Sequence, residues 1–429
     1  MTLASATRMH SIIRTGYLNQ SRFRCNISLG SPIAKSLMHS SSNPSNAPDD
    51  IIPPISQRRQ SEAQPLHILS LDGGDVRSLS SLIIFREFIA RLEKTPGVTK
   101  PVIPADYFDL IVGTSTGGIM ALMLGRLRMS VDEVLDTYLT LSKRVFHMGR
   151  VSTATRVCTT MLMDGLPSWY DEARLERIIK QTIAKHVKDQ DAEALLEEAL
   201  SSNSCRTAVV AARSADATRP TLMRSYAVPH DADPERFKIW EAARATSAAP
   251  LYFRPMKAGV YKVPYLDGCV SGHSNPAWLA MQEAKHLWPD RKIDLFLSLG
   301  TGSPTRVALQ APLSKFVLGF VYLSTSTVRV HEMAWREFKR KYDISPYVRL
   351  PVDHEISKLR LDNPSRLDNT SSDLLTYLEV TQTSDKIQHC VDLATGKTMS
   401  KLSPCSGPHE DEEESTQPFT QDPAPTALV

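Results

Sequence analysis

The chain has 429 residues, 41% of them hydrophobic and 23% charged, enough apolar content for a sizeable core. Fifty Lys and Arg against 47 Asp and Glu leave a net charge of +3, too small to argue for a nucleic-acid partner, and no run reaches the ~18 apolar residues of a transmembrane helix. The six cysteines are scattered without a C-x-x-C pair, so neither a disulfide framework nor a zinc site is indicated, which fits a reducing, intracellular compartment.

No Asp or Glu precedes Asp49, while Arg8, Arg14, Arg22, Arg24 and Lys35 are spread among serines and Ile12, Ile13, Tyr17 and Leu18 can line one helix face. Two readings fit this leader equally: an organellar, mitochondrial-type transit peptide, or an ordinary unstructured leader of a cytoplasmic or membrane-peripheral protein. A Pro- and Ser-rich linker follows from Ser40 to Gln64.

Leu66 to Leu71 (LHILSL) reads as a strand, followed at once by Asp72-Gly73-Gly74-Asp75-Val76-Arg77-Ser78. Leu79, Leu82, Ile83, Phe85, Phe88, Ile89 and Leu92 then recur at helical spacing up to Lys94-Thr95-Pro96. The plan repeats in Tyr107 to Arg126. An apolar strand ends at Gly113-Thr114-Ser115-Thr116-Gly117-Gly118, and Ile119 to Leu124 continue as a buried helix. Strand, G-x-S-x-G, helix is the setting of a nucleophile elbow, in which the helix aims its first free N–H groups at the serine oxygen. The plainer reading is a Gly/Ser turn between two core elements. Two strand–loop–helix units in succession predict a parallel sheet with both glycine loops at the carboxyl ends of its strands, where α/β ligand sites lie.

Val131 to Val145 and Tyr170 to Ile183 read as helices, Asp191 to Leu200 as a short acidic surface helix, and Thr207 to Ala212 as a strand. Trp240 to Pro250 is an Ala-rich helix closing into a loop. Tyr265-Leu266 runs into Asp267-Gly268-Cys269, Ser274-Asn275-Pro276 opens a helix through Glu283, and Ile293 to Leu299 is a second apolar strand ending in Gly300-Thr301-Gly302. That last turn fits a phosphate cradle less well than a simple strand exit. From Ser403 the chain carries an acidic run, Glu410 to Glu414, among prolines and reads as a disordered tail.

A serine nucleophile needs a base for its proton and N–H donors for the developing oxyanion. The Asp72–Ser78 loop can supply donors, since successive glycine amides form an anion-binding nest. For the base, His331 and His354 sit in no strand-end or Gly-rich context, whereas Asp267 does. A thiol- or metal-dependent enzyme is the competing class, and the scattered cysteines argue against it.

Asp72-Gly-Gly-x-x-Arg77, Gly113-Thr-Ser115-Thr-Gly117-Gly118 and Asp267-Gly268, in this order, resemble the patatin-like phospholipase family, as do Ala242 to Pro250, Asn275-Pro276 and Ser298 to Gly302. The resemblance spans roughly His67 to Leu361. It implies a three-layer α/β/α sandwich with a mainly parallel central sheet over 65–402, flanked by the 1–64 leader and linker and the 403–429 tail. It also implies hydrolysis of phospholipid or other lipid acyl esters by a Ser–Asp dyad, with no metal or cofactor and with peripheral contact to a membrane surface. By position, Ser115 is the nucleophile, Asp267 the base, the amides of Gly73, Gly74 and Asp75 the oxyanion hole, and Arg77 a brace for the loop.

Three positions depart from the family pattern. Asp75 and Ser78 replace glycines, and Cys269 stands where Gly or Ala is usual. Ser78 is read as a helix N-cap. Asp75 puts a carboxylate where an oxyanion must form: two unit charges roughly 4 Å apart repel by about 4 kcal/mol at an effective dielectric of about 20. Pairing with Arg77 would remove that penalty. Otherwise the same scaffold serves as a catalytically weakened module that binds lipid or a partner.

Overall fold

The computed structural model describes residues 64–74, 77–146, 168, 170–198, 204–228, 235–302, 327–342, 345–351, 378 and 381–396. The leader, Asp75, His354 and the acidic tail lie outside the described residues.

The strands are β1 (Leu66–Leu71), β2 (Leu110–Thr114), β3 (Arg206–Arg213), β4 (Asp216–Arg224), β5 (Met256–Ala258), β6 (Val263–Asp267), β7 (Ile293–Leu299) and β8 (Tyr347–Leu350). They form one sheet in the order β5-β6-β3-β2-β1-β7-β8, with β4 paired to β3 off that path. The pairs β3–β2, β2–β1, β1–β7 and β7–β8 are parallel; β4, β5 and β6 join antiparallel. The sheet is therefore mainly parallel, as the repeated strand–loop–helix plan predicts.

The helices are α1 (Ser78–Lys94), α2 (Pro104–Tyr107), α3 (Thr116–Ala121), α4 (Val131–Phe146), α5 (Glu172–His186), α6 (Ile239–Thr246), α7 (Ala277–Leu287), α8 (Val328–Lys341) and α9 (Thr381–Thr395). Alternation along the strands explains the layering. Leu69, Leu71, Ile111, Leu295, Leu297 and Leu299 face one core, shared with α1, α3, α4, α5, α6 and α9. Their neighbours Leu66, Ile68, Leu110, Val112 and Phe296 face a second core, shared with α7 and α8. Both faces of the central strands are covered, so their sequences are apolar almost throughout.

Three stretches differ from the sequence reading. Residues 191–198 form turns and not a surface helix, because their acids serve other bonds. Asp191 Oδ1 accepts from the Glu193 amide at 2.8 Å, Glu193 takes Lys180, Lys238 and Trp240, and Leu196 is fully buried with its amide on Phe237 O. An Asx turn and a packed leucine outcompete the helix. Strand β4 has no counterpart in the sequence reading: DATRPTLMR is polar and holds Pro220, a residue tolerated where an edge strand needs no amide. Helix α5 starts two residues later than predicted, where Asp171 caps the amides of Ala173 and Arg174.

Candidate active site

Ser115 lies between β2 and α3 and is buried, with φ 57° and ψ −127°. A positive φ at a non-glycine residue costs on the order of 1–3 kcal/mol and persists only where its surroundings enforce it. They do so here. A side chain on Gly113 would strike the Gly117 carbonyl, and one on Gly117 would strike the carbonyls of Leu71 and Asp72. The two glycines of G-x-S-x-G thus let the turn close on itself and on the end of β1. The Ser115 amide donates to Thr246 Oγ1 at 2.9 Å, Thr246 Oγ1 donates to Val210 O at 2.6 Å, and Ile119 N bonds back to Ser115 O at 3.1 Å to start α3.

Asp267 ends β6 and is completely buried. Its Oδ1 accepts from the Cys269 amide at 2.9 Å and its own amide bonds Ala248 O. Strand β3 brings it towards Ser115. One edge of β3 carries β4 along its length, with Val210 opposite Leu222 and Ala211 opposite Thr221. On the other edge, Val210 pairs with Thr114 and Ala211 pairs with Asp267. Strands β2 and β6 therefore meet end to end along β3, pointing at each other, with the serine turn and the aspartate at the junction.

The glycine loop after β1 closes the site from the third side. A Cβ at Gly73 would lie 3.0 Å from Ser115 Cβ and 3.1 Å from Cys269 Sγ, so the three motifs converge closely here and a side chain would require its neighbours to give by a few tenths of an ångström. The Gly73 amide donates to Ser274 O at 2.9 Å, and its carbonyl accepts from Thr301 Oγ1 at 2.8 Å. The Gly74 amide reaches Thr116 Oγ1 at 3.3 Å, a long bond to a rotatable hydroxyl. Arg77 touches this loop through Nε to Gly74 O at 3.4 Å and reaches Gly302 O through Nη1 at 3.1 Å. Ser78 is the first residue of α1 and not its cap. Arg77 holds the cap position without a side-chain bond, and Ser78 Oγ sits 2.7 Å from Thr116 Oγ1. A hydroxyl partner across the turn replaces the capping bond that the sequence suggests.

Several residues with parts in this site carried no assignment from sequence. Thr246 lies within the Ala242–Pro250 segment but a lone Thr in an Ala-rich helix end gives no sign of its two bonds. Thr301 belongs to the glycine turn after β7, which clamps the loop after β1. Arg349 is the least visible: the only charged residue in the four of β8, it forks onto the buried carboxylate of Asp72. Burial pushes the Asp72 pKa up while Arg349 pulls against that shift. Among histidines, His331 on α8 bonds Tyr347 Oη at 3.1 Å, and burial together with Arg349 and Lys386 depresses its pKa to about 3. His273, whose carbonyl accepts from Thr114 Oγ1 at 2.7 Å, turns its ring Nδ1 onto Ser271 O at 2.8 Å, and burial lowers its pKa.

Residues 69–281 match the family model described as patatin-like phospholipase. The chain is 29% identical over 300 residues to phospholipase A I of Arabidopsis thaliana, covering 58% of this chain and 22% of that one. It is 31% identical over 286 residues to human calcium-independent phospholipase A2-gamma, covering 62% and 33%. With patatin-like phospholipase 1 of Plasmodium falciparum it shares 26% identity over 330 residues, covering 70% and 45%. The match thus spans a fifth to under a half of these relatives' lengths. The glycine loop after β1, the Ser115 turn and the strand-end Asp267-Gly268 all fall within residues 69–281, and over that stretch the chain carries a patatin-like phospholipase domain.

Proposed function

We propose that the protein is a serine lipid acyl hydrolase acting on phospholipid or related lipid esters. The observation that supports this best is the end-to-end meeting of β2 and β6 along β3, with a strained, buried serine at one end and a buried carboxylate at the other. In this reading the Asp267 carboxylate takes the Ser115 proton as Oγ attacks the ester carbonyl carbon. The tetrahedral oxyanion collapses, the carbon–oxygen bond to the lipid alcohol breaks, and the alcohol leaves with the proton held by Asp267. Water then attacks the acyl-enzyme, Asp267 takes its proton, and the fatty acid departs as Ser115 recovers its own.

The oxyanion falls to the amides of Gly74 and Asp75, with α3 directing its positive end at the same space. The Gly73 amide already serves a backbone carbonyl and shapes the floor, whereas the Gly74 amide is engaged only by the long 3.3 Å bond to Thr116 Oγ1. Loss of one such donor costs on the order of 100- to 1000-fold in rate.

That engaged Gly73 amide, together with the Asp75 carboxylate, favours a second reading, a catalytically weakened lipid-binding relative. Labelling with a fluorophosphonate probe decides between them. Covalent label on wild type that disappears in Ser115→Ala supports the hydrolase, and wild type that takes no label supports the binding module. For the leader, the proposal is mitochondrial import. Residues 1–48 fused to a fluorescent reporter should concentrate it there, and even cytosolic signal overturns the idea.

A further inference from the structure

We propose that Arg349, on β8 and outside the matched residues 69–281, is a positioning residue for Ser115 that acts through Asp72. The inference rests on the hydrolase reading of Ser115 and concerns what holds that serine in its strained turn.

Arg349 Nη2 lies 2.5 Å from Asp72 Oδ2 and Nη1 3.3 Å from Oδ1, a two-pronged contact. It also bonds Ser298 Oγ from Nη1 at 2.8 Å and Thr327 Oγ1 from Nη2 at 3.1 Å, and engages the neighbouring Tyr347 side chain. The two side chains are 7% and 0% exposed. Sheet register explains the reach. Ser70 on β1 pairs with Ser298 on β7, which pairs with Arg349 on β8, and Asp72 lies two residues beyond Ser70 on the same face.

Stability alone is a poor reason for such a pair, because burying two charges costs as much as their attraction returns and apolar residues of equal volume serve as well. Position is the better reason. Asp72 stands between Arg349 and the serine turn. Its carbonyl is part of the surface on which Gly117 packs, and the next residue, Gly73, lies against Ser115 Cβ. Clamping the Asp72 carboxylate therefore sets the peptide on which the elbow rests. A shift of even a fraction of an ångström there is transmitted to Ser115, because no gap separates the two backbones.

Either single neutral substitution strands a buried charge and can lower the folded yield. The decisive variants are accordingly the double Asp72→Asn/Arg349→Met, which removes both charges at nearly constant volume, and Arg349→Lys, which keeps the charge but loses the fork. The readouts are the fluorophosphonate labelling rate of Ser115 and kcat and KM for a soluble short-chain ester, per folded molecule, with melting temperature measured alongside. The expected result is a kcat and labelling rate at least tenfold below wild type in both variants, with KM changed by less than threefold. A purely structural pair would move the melting temperature and leave the rate per folded molecule intact. If the double variant labels at the wild-type rate, or if it does not fold and Arg349→Lys labels at that rate, the proposal is overturned. Wild type that takes no label overturns the hydrolase reading and this proposal with it, so the two failures are distinguishable.

Discussion

At Ser115 the backbone carries a strain of on the order of 1–3 kcal/mol that neighbouring contacts must hold in place. Thr246 is the residue most directly charged with that, since its one hydroxyl accepts from the Ser115 amide and donates to Val210 O. Thr246→Val keeps the shape and drops both bonds. It should cost about 1–3 kcal/mol of stability and slow Ser115 labelling, whereas Thr246→Ser keeps the hydroxyl and should restore most of both. Urea melts and labelling time courses read the two effects, and a Thr246→Val protein that labels as fast as wild type refutes the link. Cys269 shows the same economy of space. Its sulfur and Ser115 Cβ flank Gly73, so a side chain at 73 fits only if they give way by a few tenths of an ångström.

Among the elements, the β5–β6 hairpin links the site to its surroundings. Strand β6 is antiparallel to β3, so tracing it back from Asp267 leads beyond the carboxyl end of β2, on the Ser115 side of the sheet. Four residues of strand carry the turn roughly 13 Å past that edge. At the turn Val260 and Tyr261 are 70% and 69% exposed, with the exposed Lys257 beside them and Lys262, whose Nζ pairs with Glu241 Oε1 at 2.9 Å. An aliphatic and an aromatic side chain flanked by lysines suit an anionic lipid surface. Withdrawing a valine from water is worth on the order of 1.5–3 kcal/mol. Val260→Ser/Tyr261→Ser should therefore lower hydrolysis of anionic phospholipid vesicles by about tenfold or more, while a soluble ester is turned over as before. Equal losses on both substrates would count against the hairpin as a lipid contact. None of the helices among the described residues is long and apolar enough to cross a membrane, so contact of this kind would be at the surface.

Across the whole molecule, a half-buried histidine beside the second core has its pKa moved far from its usual range. The His331 pKa is lowered from 6.5 to about 3 by burial, and by the positive charges of Arg349 and Lys386 that face it, while Tyr347 Oη bonds its ring. The unfolded chain takes up a proton near pH 6.5 and the folded chain does not until about pH 3, so the unfolded state binds more protons in that window. Stability from this group is present above pH 6.5 and falls as the pH drops, by up to about 1.4 kcal/mol per unit. The melting temperature of wild type should thus decline more steeply between pH 6.5 and 4 than that of His331→Gln. Parallel curves for the two proteins would show that His331 is not the source.

What the order of residues determined by itself is local and periodic. Apolar runs of strand length, 3.6-residue spacing in α1 and the G-x-S-x-G turn each depend on neighbours in the chain, so β1, β2, β7, α1 and α3 and the serine and aspartate turns were legible, along with a parallel sheet carrying both glycine loops at one edge. What only the tertiary structure decided depends on pairs far apart in sequence. That β6 runs head-on into β2 follows from β3 having a free half-edge, which no local pattern records. The bond from Thr301 to Gly73 joins residues 228 positions apart, and that from Arg349 to Asp72 joins residues 277 apart. A single Thr or Arg looks the same in sequence whether it faces water or holds the glycine loop after β1, because its partner is chosen by the packing of the sheet.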